Sequence, residues 1–195
     1  MHRADSLIHH ALADPVNGRV LAALEALDIP GAWLVSGCVF QAVWNGLTGR
    51  PPGYGINDYD VFYFDPDTSY DAEDAVIRRC AAALAGIGAE IQVRNQARVP
   101  LWYPQKFGRP YAPVADATEG LSRFLAPCCA VGLRRAGGRI EIAAPFGLDD
   151  LFTMTVRPNR LTTGPQDQYE AKAARWKAQW PEIVVLPWSS SRPQP

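Results

Sequence analysis

After His10 the chain has no histidine, since all three lie within the first ten residues. A Ser-His-Asp or Cys-His hydrolase, or a His-ligated zinc or non-haem iron centre, would have to draw its imidazole from that N-terminal segment. Those classes are set aside. The cysteines Cys38, Cys80, Cys128 and Cys129 show no metal-type spacing, and the last two are neighbours. Neither a zinc site nor a disulfide framework is indicated, and buried free thiols are expected. No apolar run approaches the ~18 residues that a membrane span needs. The opening stretch, with His2, Arg3, Asp5, His9 and His10, lacks the basic flank and apolar run of a secretory segment. A cytoplasmic protein with no membrane partner is expected.

An excess of one charge is also missing. The formal net charge is -1, which argues against a broad DNA- or RNA-binding surface, because stable nucleic-acid binding rests on a basic face. Lysine is scarce: of the 19 basic residues all but Lys106, Lys172 and Lys177 are arginine. The guanidinium fork matches phosphate oxygens well, although for most of these arginines simple surface coverage is the preferred reading.

What is present is a 195-residue chain, 48% hydrophobic, enough for one globular domain, placed at residues 1–188 with a flexible tail at 189–195. Residues 5–13 and 16–27 read as helices, the second with Val20, Leu21, Leu24 and Leu27 on one side and a stop at Pro30-Gly31. Residues 33–35 read as a strand, 38–47 as a helix and 58–64 as a strand. A helix runs from about Ser69 to Gly86, with Asp71, Glu73 and Asp74 early and Arg78 and Arg79 late. A strand at 89–94, a loop carrying Trp102, Tyr103 and Phe107, and a helix near 116–124 follow. A hairpin joins 128–134 to 139–143 through Gly137-Gly138. Asp149 and Asp150 read as a helix start rather than as ligands, and Tyr169, Ala173, Trp176 and Trp180 as the buried face of a last helix.

Two segments carry chemistry. The apolar strand Trp33-Leu34-Val35 runs into Ser36-Gly37-Cys38, where glycine permits a tight turn into a helix. The open amides of that helix's first turn, with their partial positive charge, suit a polyphosphate. Downstream, Asp58-Tyr59-Asp60 opens the strand Val61-Phe62-Tyr63-Phe64. Residues two apart on a strand share a face, about 7 Å apart at Cα, so both carboxylates can lean on one divalent ion or on two. The dipeptide pattern alone mostly decorates solvated strand ends; the upstream turn is what favours a metal-assisted phosphoryl or nucleotidyl transfer site.

This order of parts resembles the DNA polymerase beta type nucleotidyltransferase superfamily. Gly37–Asn45, Ile56–Asp60, Val93–Val99 and Ala144–Asp150 are similar to a family of small bacterial nucleotidyltransferase-like proteins, related in fold to the head domain of CCA-adding enzymes. The resemblance implies an α+β fold, a mixed sheet flanked by helices. It also implies magnesium, or manganese in its place, and a nucleoside triphosphate such as ATP at the sheet end; the acceptor hydroxyl, on RNA, protein or a small molecule, is left open. On it, Asp58 and Asp60 match the metal pair and Glu90 is the candidate third catalytic acid, with Gln92 on the same face as the competing position. Ser36, Gly37 and Cys38 match the phosphate turn. Arg94 and Arg98 are candidates for triphosphate or base, ordinary surface pairing being their other reading. The chain departs from the pattern in its longer Thr48–Gly55 insert, in Cys38 where Gly or Ser is usual, and in Pro100 where the family carries a His after Arg-Val. The alternative is a non-catalytic nucleotide-binding or interaction protein that retains the fold; a partner in a toxin and antitoxin pair is a weaker third.

Overall fold

Strand β1 (Trp33–Val35) is wholly buried and is the centre of the protein. Around it a five-stranded mixed sheet runs in the order β3-β2-β1-β4-β5. The structure is a computed structural model and describes residues 2–191. β2 (Asp58–Tyr63) lies antiparallel to β1 and parallel to β3 (Glu90–Asn95); β4 (Gly132–Ala136) lies antiparallel to β1 and forms a hairpin with β5 (Arg139–Ala143). The helices are α1 (Arg3–Ala13), α2 (Pro15–Leu27), α3 (Gly37–Thr48), α4 (Tyr70–Ala83), α5 (Val99–Phe107), α6 (Ala117–Leu121), α7 (Asp149–Phe152) and α8 (Gln166–Gln179). A two-stranded parallel pair, β6 (Thr155–Val156) and β7 (Val184–Val185), stands apart. This is the expected α+β arrangement.

Strand alternation sorts the side chains into two layers. Leu34, Tyr59, Val61, Tyr63, Val93 and Leu133 pack into the large core beneath the helices. Trp33 and Val35 face the other way, onto Ala117 and Leu121 of α6, with Phe62 and Phe64 packed against that cluster. Asp58 and Asp60 share the face of Phe62, so both acids project from the side opposite α1–α4.

Local sequence explains most element ends. Asp14 accepts from Val16 N at 3.0 Å and caps α2. That helix ends at Leu27, where the sequence placed its end, with Asp28 in the left-handed region at φ 48° as its cap. Ser69 caps α4 through Ala72 N, and Asp116 caps α6 through Thr118 N and Glu119 N. The loop expected around Trp102 is instead a 3-10 turn followed by α5. Pro100 sits at the helix start, where a missing N–H costs nothing, and Gly108 closes the helix in the left-handed region. The tail expected at 189–195 falls largely outside the described residues.

The long α3–β2 connection is clamped at its base. Trp180 donates to Asn45 Oδ1 at 3.0 Å, and Asn45 donates to the Tyr54 carbonyl at 2.9 Å. Gly55 has φ 73°, and a Cβ there would come within 2.5 Å of the buried Trp180 ring. Gly55→Ala should therefore lower stability by about 1–3 kcal/mol in urea unfolding; a neutral substitution would contradict the clamp.

Candidate active site

The ladder between β1 and β2 pairs Val35 with Asp60. Asp60 therefore stands beside the last residue of β1, where the chain turns into α3, and Asp58 lies two residues beyond. Ser36 forms that turn at φ 63°, ψ -128°, a conformation that costs a non-glycine residue of order 1–3 kcal/mol. The strain is held by the Ser36 N–H donating to the Val131 carbonyl at 3.0 Å, and by the Ser36 carbonyl accepting from Val39 N and Phe40 N, each at 3.0 Å. The N–H groups of Gly37 and Cys38 meet no backbone acceptor among the described residues. They are the open donors of the turn. Asn17 Nδ2 bonds the carbonyls of Ala11 (2.9 Å) and Cys38 (2.8 Å), fixing the helix mouth from behind.

Ser36, Asp60 and Arg94 line one cleft with a volume of about 260 Å³. Lys172 and Arg123 reach the same cleft, and neither was singled out from sequence. Lys172 comes from α8, whose Trp176 ring meets Phe40 (centroids 5.2 Å) and Trp44 (6.0 Å) of α3. That helix pairing sets Lys172 over the sheet end. Its spacing from Tyr169 and Trp176 was visible, but an exposed lysine on an amphipathic helix carries no signal of its own.

The remaining candidates divide. β2 and β3 run in parallel register, so Glu90 lies opposite Asp58 and Gln92 opposite Asp60. The Gln92 amide donates to Glu90 Oε1 at 2.8 Å and to Asp58 Oδ2 at 3.3 Å. Gly37 builds the turn, but the Cys38 side chain is buried and its thiol donates to the Val35 carbonyl at 3.3 Å; burial, then the nearby Asp60 carboxylate, pushes its pKa well up. At Cys38 the backbone N–H, and not the side chain, is the donor left open among the described residues. Arg98 turns away from the cleft, to Glu73 at 3.1 Å and to the Tyr70 ring at 5.8 Å. Asp150 pairs with Arg157 at 2.7 Å and Asp149 with Arg3, and both stand in the first turn of α7, the expected helix start.

Burial, and then the charge of Asp58, push the Asp60 carboxyl up to about 6, with Lys172 and Arg94 pulling the other way. This is the mark of negative charge that the protein does not itself compensate. Among the described residues no three His, Cys, Asp or Glu side chains gather closely enough to hold a metal ion. The pair Asp58 and Asp60 nevertheless fits a hard divalent cation: two carboxylates on one strand face, one of them with its pKa raised by burial and by the other's charge.

A family profile described as Nucleotidyltransferase matches residues 22–185, and the chain belongs to that family. A protein whose NMR structure is described as revealing a CCA-adding enzyme head domain superposes with a TM-score of 0.73 at 24% sequence identity, over 93% of this chain and 94% of that one. At that identity the likeness establishes the fold. No curated protein matches the sequence significantly.

The raised Asp60 pKa has a consequence for stability. A carboxyl that titrates near 6 when folded, against about 4 when unfolded, binds its proton more tightly in the native state. Stability is therefore lost as pH rises from 4 through 6. In metal-free buffer Asp60→Asn should melt a few degrees above the wild type at pH 8, with the gap closing by pH 4. A lower melting point than wild type at pH 8 would contradict this.

Proposed function

We propose that the protein transfers a nucleoside monophosphate from a nucleoside triphosphate to a hydroxyl acceptor and releases pyrophosphate. The observation that carries this reading is the register of Val35 with Asp60, which sets a charged carboxylate pair against the amide-lined mouth of α3. Family membership and fold support the same class of chemistry. Asp58 and Asp60 would hold magnesium, or manganese. Such an ion, when bound, neutralises phosphate charge and orients the phosphates for in-line attack.

The chain's own groups do the positioning. The Gly37 and Cys38 amides, with the Ser36 hydroxyl, hold the polyphosphate at the positive end of the α3 dipole. Lys172 and Arg94 add cationic charge over the same end of the sheet, where transition-state charge collects. Above pH 6 Asp60 is ionised and available as a ligand. The acceptor oxygen bonds to the α-phosphorus as the bond to the β-phosphate bridging oxygen breaks, and the hydroxyl proton leaves to solvent. Glu90 is proposed as a further acid at the site through its place opposite Asp58.

One observation favours the alternative, a nucleotide-binding protein without turnover: the Gln92 amide stands between Asp58 and Glu90, where a third carboxylate would strengthen cation binding. A pyrophosphate-release assay with each ribonucleoside triphosphate and magnesium, beside calorimetric titration, separates the two readings. Release in the wild type that falls at least 100-fold in Asp60→Asn, with the fold intact, supports transfer. Binding without release supports the alternative, and an undiminished rate in the variant would contradict the role of Asp60.

A further inference from the structure

Four aromatic rings stand together outside both hydrophobic cores. Tyr103 packs on Phe107 (centroids 4.6 Å) and on Tyr111 (4.9 Å), and Trp102 lies 6.0 Å from Tyr103. None of the four belongs to either core cluster or packs against one. Phe107 is 37% exposed and the other three are half-buried. Apolar ring faces kept in water are unfavourable, and here all four line the same cleft as Ser36 and Asp60.

Their placement is built rather than incidental. α5 carries Trp102, Tyr103 and Phe107 on a segment stiffened by Pro100 and Pro104 and closed by Gly108. Thr163 Oγ1 donates to the Tyr103 hydroxyl at 3.1 Å. Arg123 lies over the Tyr111 ring at 5.7 Å. The segment bearing Thr162 and Thr163 is itself tied down, because Thr162 donates to the Arg123 carbonyl at 3.0 Å and Asn159 donates to the carbonyls of Ser122 and Phe124, each at 2.7 Å.

Charge decides what kind of guest fits. Among the described residues Arg94, Arg123 and Lys172 line the cleft with one carboxylate, Asp60, and although Arg123 also pairs with Glu119 at 3.4 Å, the excess of positive charge disfavours a cationic guest such as an amino sugar. An aromatic cage for a quaternary ammonium is disfavoured for the same reason. An anion bearing a flat, apolar-faced group suits both ends of the cleft.

We infer that the Trp102–Tyr103–Phe107–Tyr111 cluster is the stacking site for the base of the nucleotide whose phosphates lie at the Asp60 end. This rests on the nucleotide reading above and adds to it a stacking site for the base. Stacking recognises any base by its π-face, so the cluster supplies affinity, while the side-chain amide of Gln168, which lines the same cleft, is the group to read the base's rim.

The test is calorimetric titration of the full chain with magnesium and either a non-hydrolysable ATP analogue or tripolyphosphate, which has no base. The wild type should bind the nucleotide more tightly than tripolyphosphate. Phe107→Ala and Tyr103→Ala should each weaken nucleotide binding about 10-fold and leave tripolyphosphate affinity unchanged. Phe107, at the surface, decides the matter if Tyr103→Ala does not fold. Equal affinity of the wild type for the two ligands, unchanged nucleotide binding in the variants, or an equal loss for both ligands would overturn the base site while leaving the phosphate end standing. Failure of the wild type to bind either ligand would overturn both.

Discussion

The antiparallel ladder that joins Val35 to Asp60 is the constraint on which the site depends. Side chains alternate along a strand, so a slip of one residue between β1 and β2 would turn Asp58 and Asp60 into the helical core and Tyr59 and Val61 out to solvent. Burying two carboxylates without partners would cost several kcal/mol. The same alternation that builds the core therefore fixes the direction of the acids. Tyr59, between them, points the opposite way and donates to buried Asp14 at 2.8 Å, which also caps α2. The strand of the acids is thus pinned to the N-terminal helices.

Those helices hold the other half of the site as well. Asn17 of α2 bonds the Cys38 carbonyl, and the strained Ser36 turn is tied to the Val131 carbonyl next to β4. Strain, amide orientation and carboxylate placement are consequences of one packed unit. α8, laid across α3 through Trp176 and Trp180, completes it by bringing Lys172 over the sheet. Preorganisation of this kind is what phosphoryl-transfer chemistry asks of a protein, since positioning and electrostatics supply most of the rate.

Much of this was legible in the sequence because it is local. The strand, glycine turn and helix at 33–48, the alternating strand from Asp58, and the apolar stripe of Tyr169, Ala173, Trp176 and Trp180 each announce themselves by period. Asp58, Asp60, Ser36 and Arg94 were named as candidates that way, or by resemblance, and three of them, Ser36, Asp60 and Arg94, line one cleft. Non-local features were not legible. Arg98 was a candidate through the family-like stretch Val93–Val99, but from the 3-10 turn at 96–98 it pairs with Glu73. The segment of α5 was read as a loop; it carries two prolines, of which Pro100 sits where a helix tolerates one and Pro104 lies inside the helix. The two-residue strands β6 and β7 are too short to show a period. Lys172 and Arg123 reach the cleft only through the packing of distant segments, and no spacing rule reports that.

The central claim is that the carboxylate pair and the mouth of α3 share one cation and its polyphosphate. The most direct measurement is manganese-induced line broadening of backbone amide resonances in the full chain, with a nucleoside triphosphate present. Selective loss of the Gly37, Cys38, Asp58 and Asp60 signals, dependent on the nucleotide, is the predicted result. Broadening centred elsewhere, or none at those four amides, would contradict it.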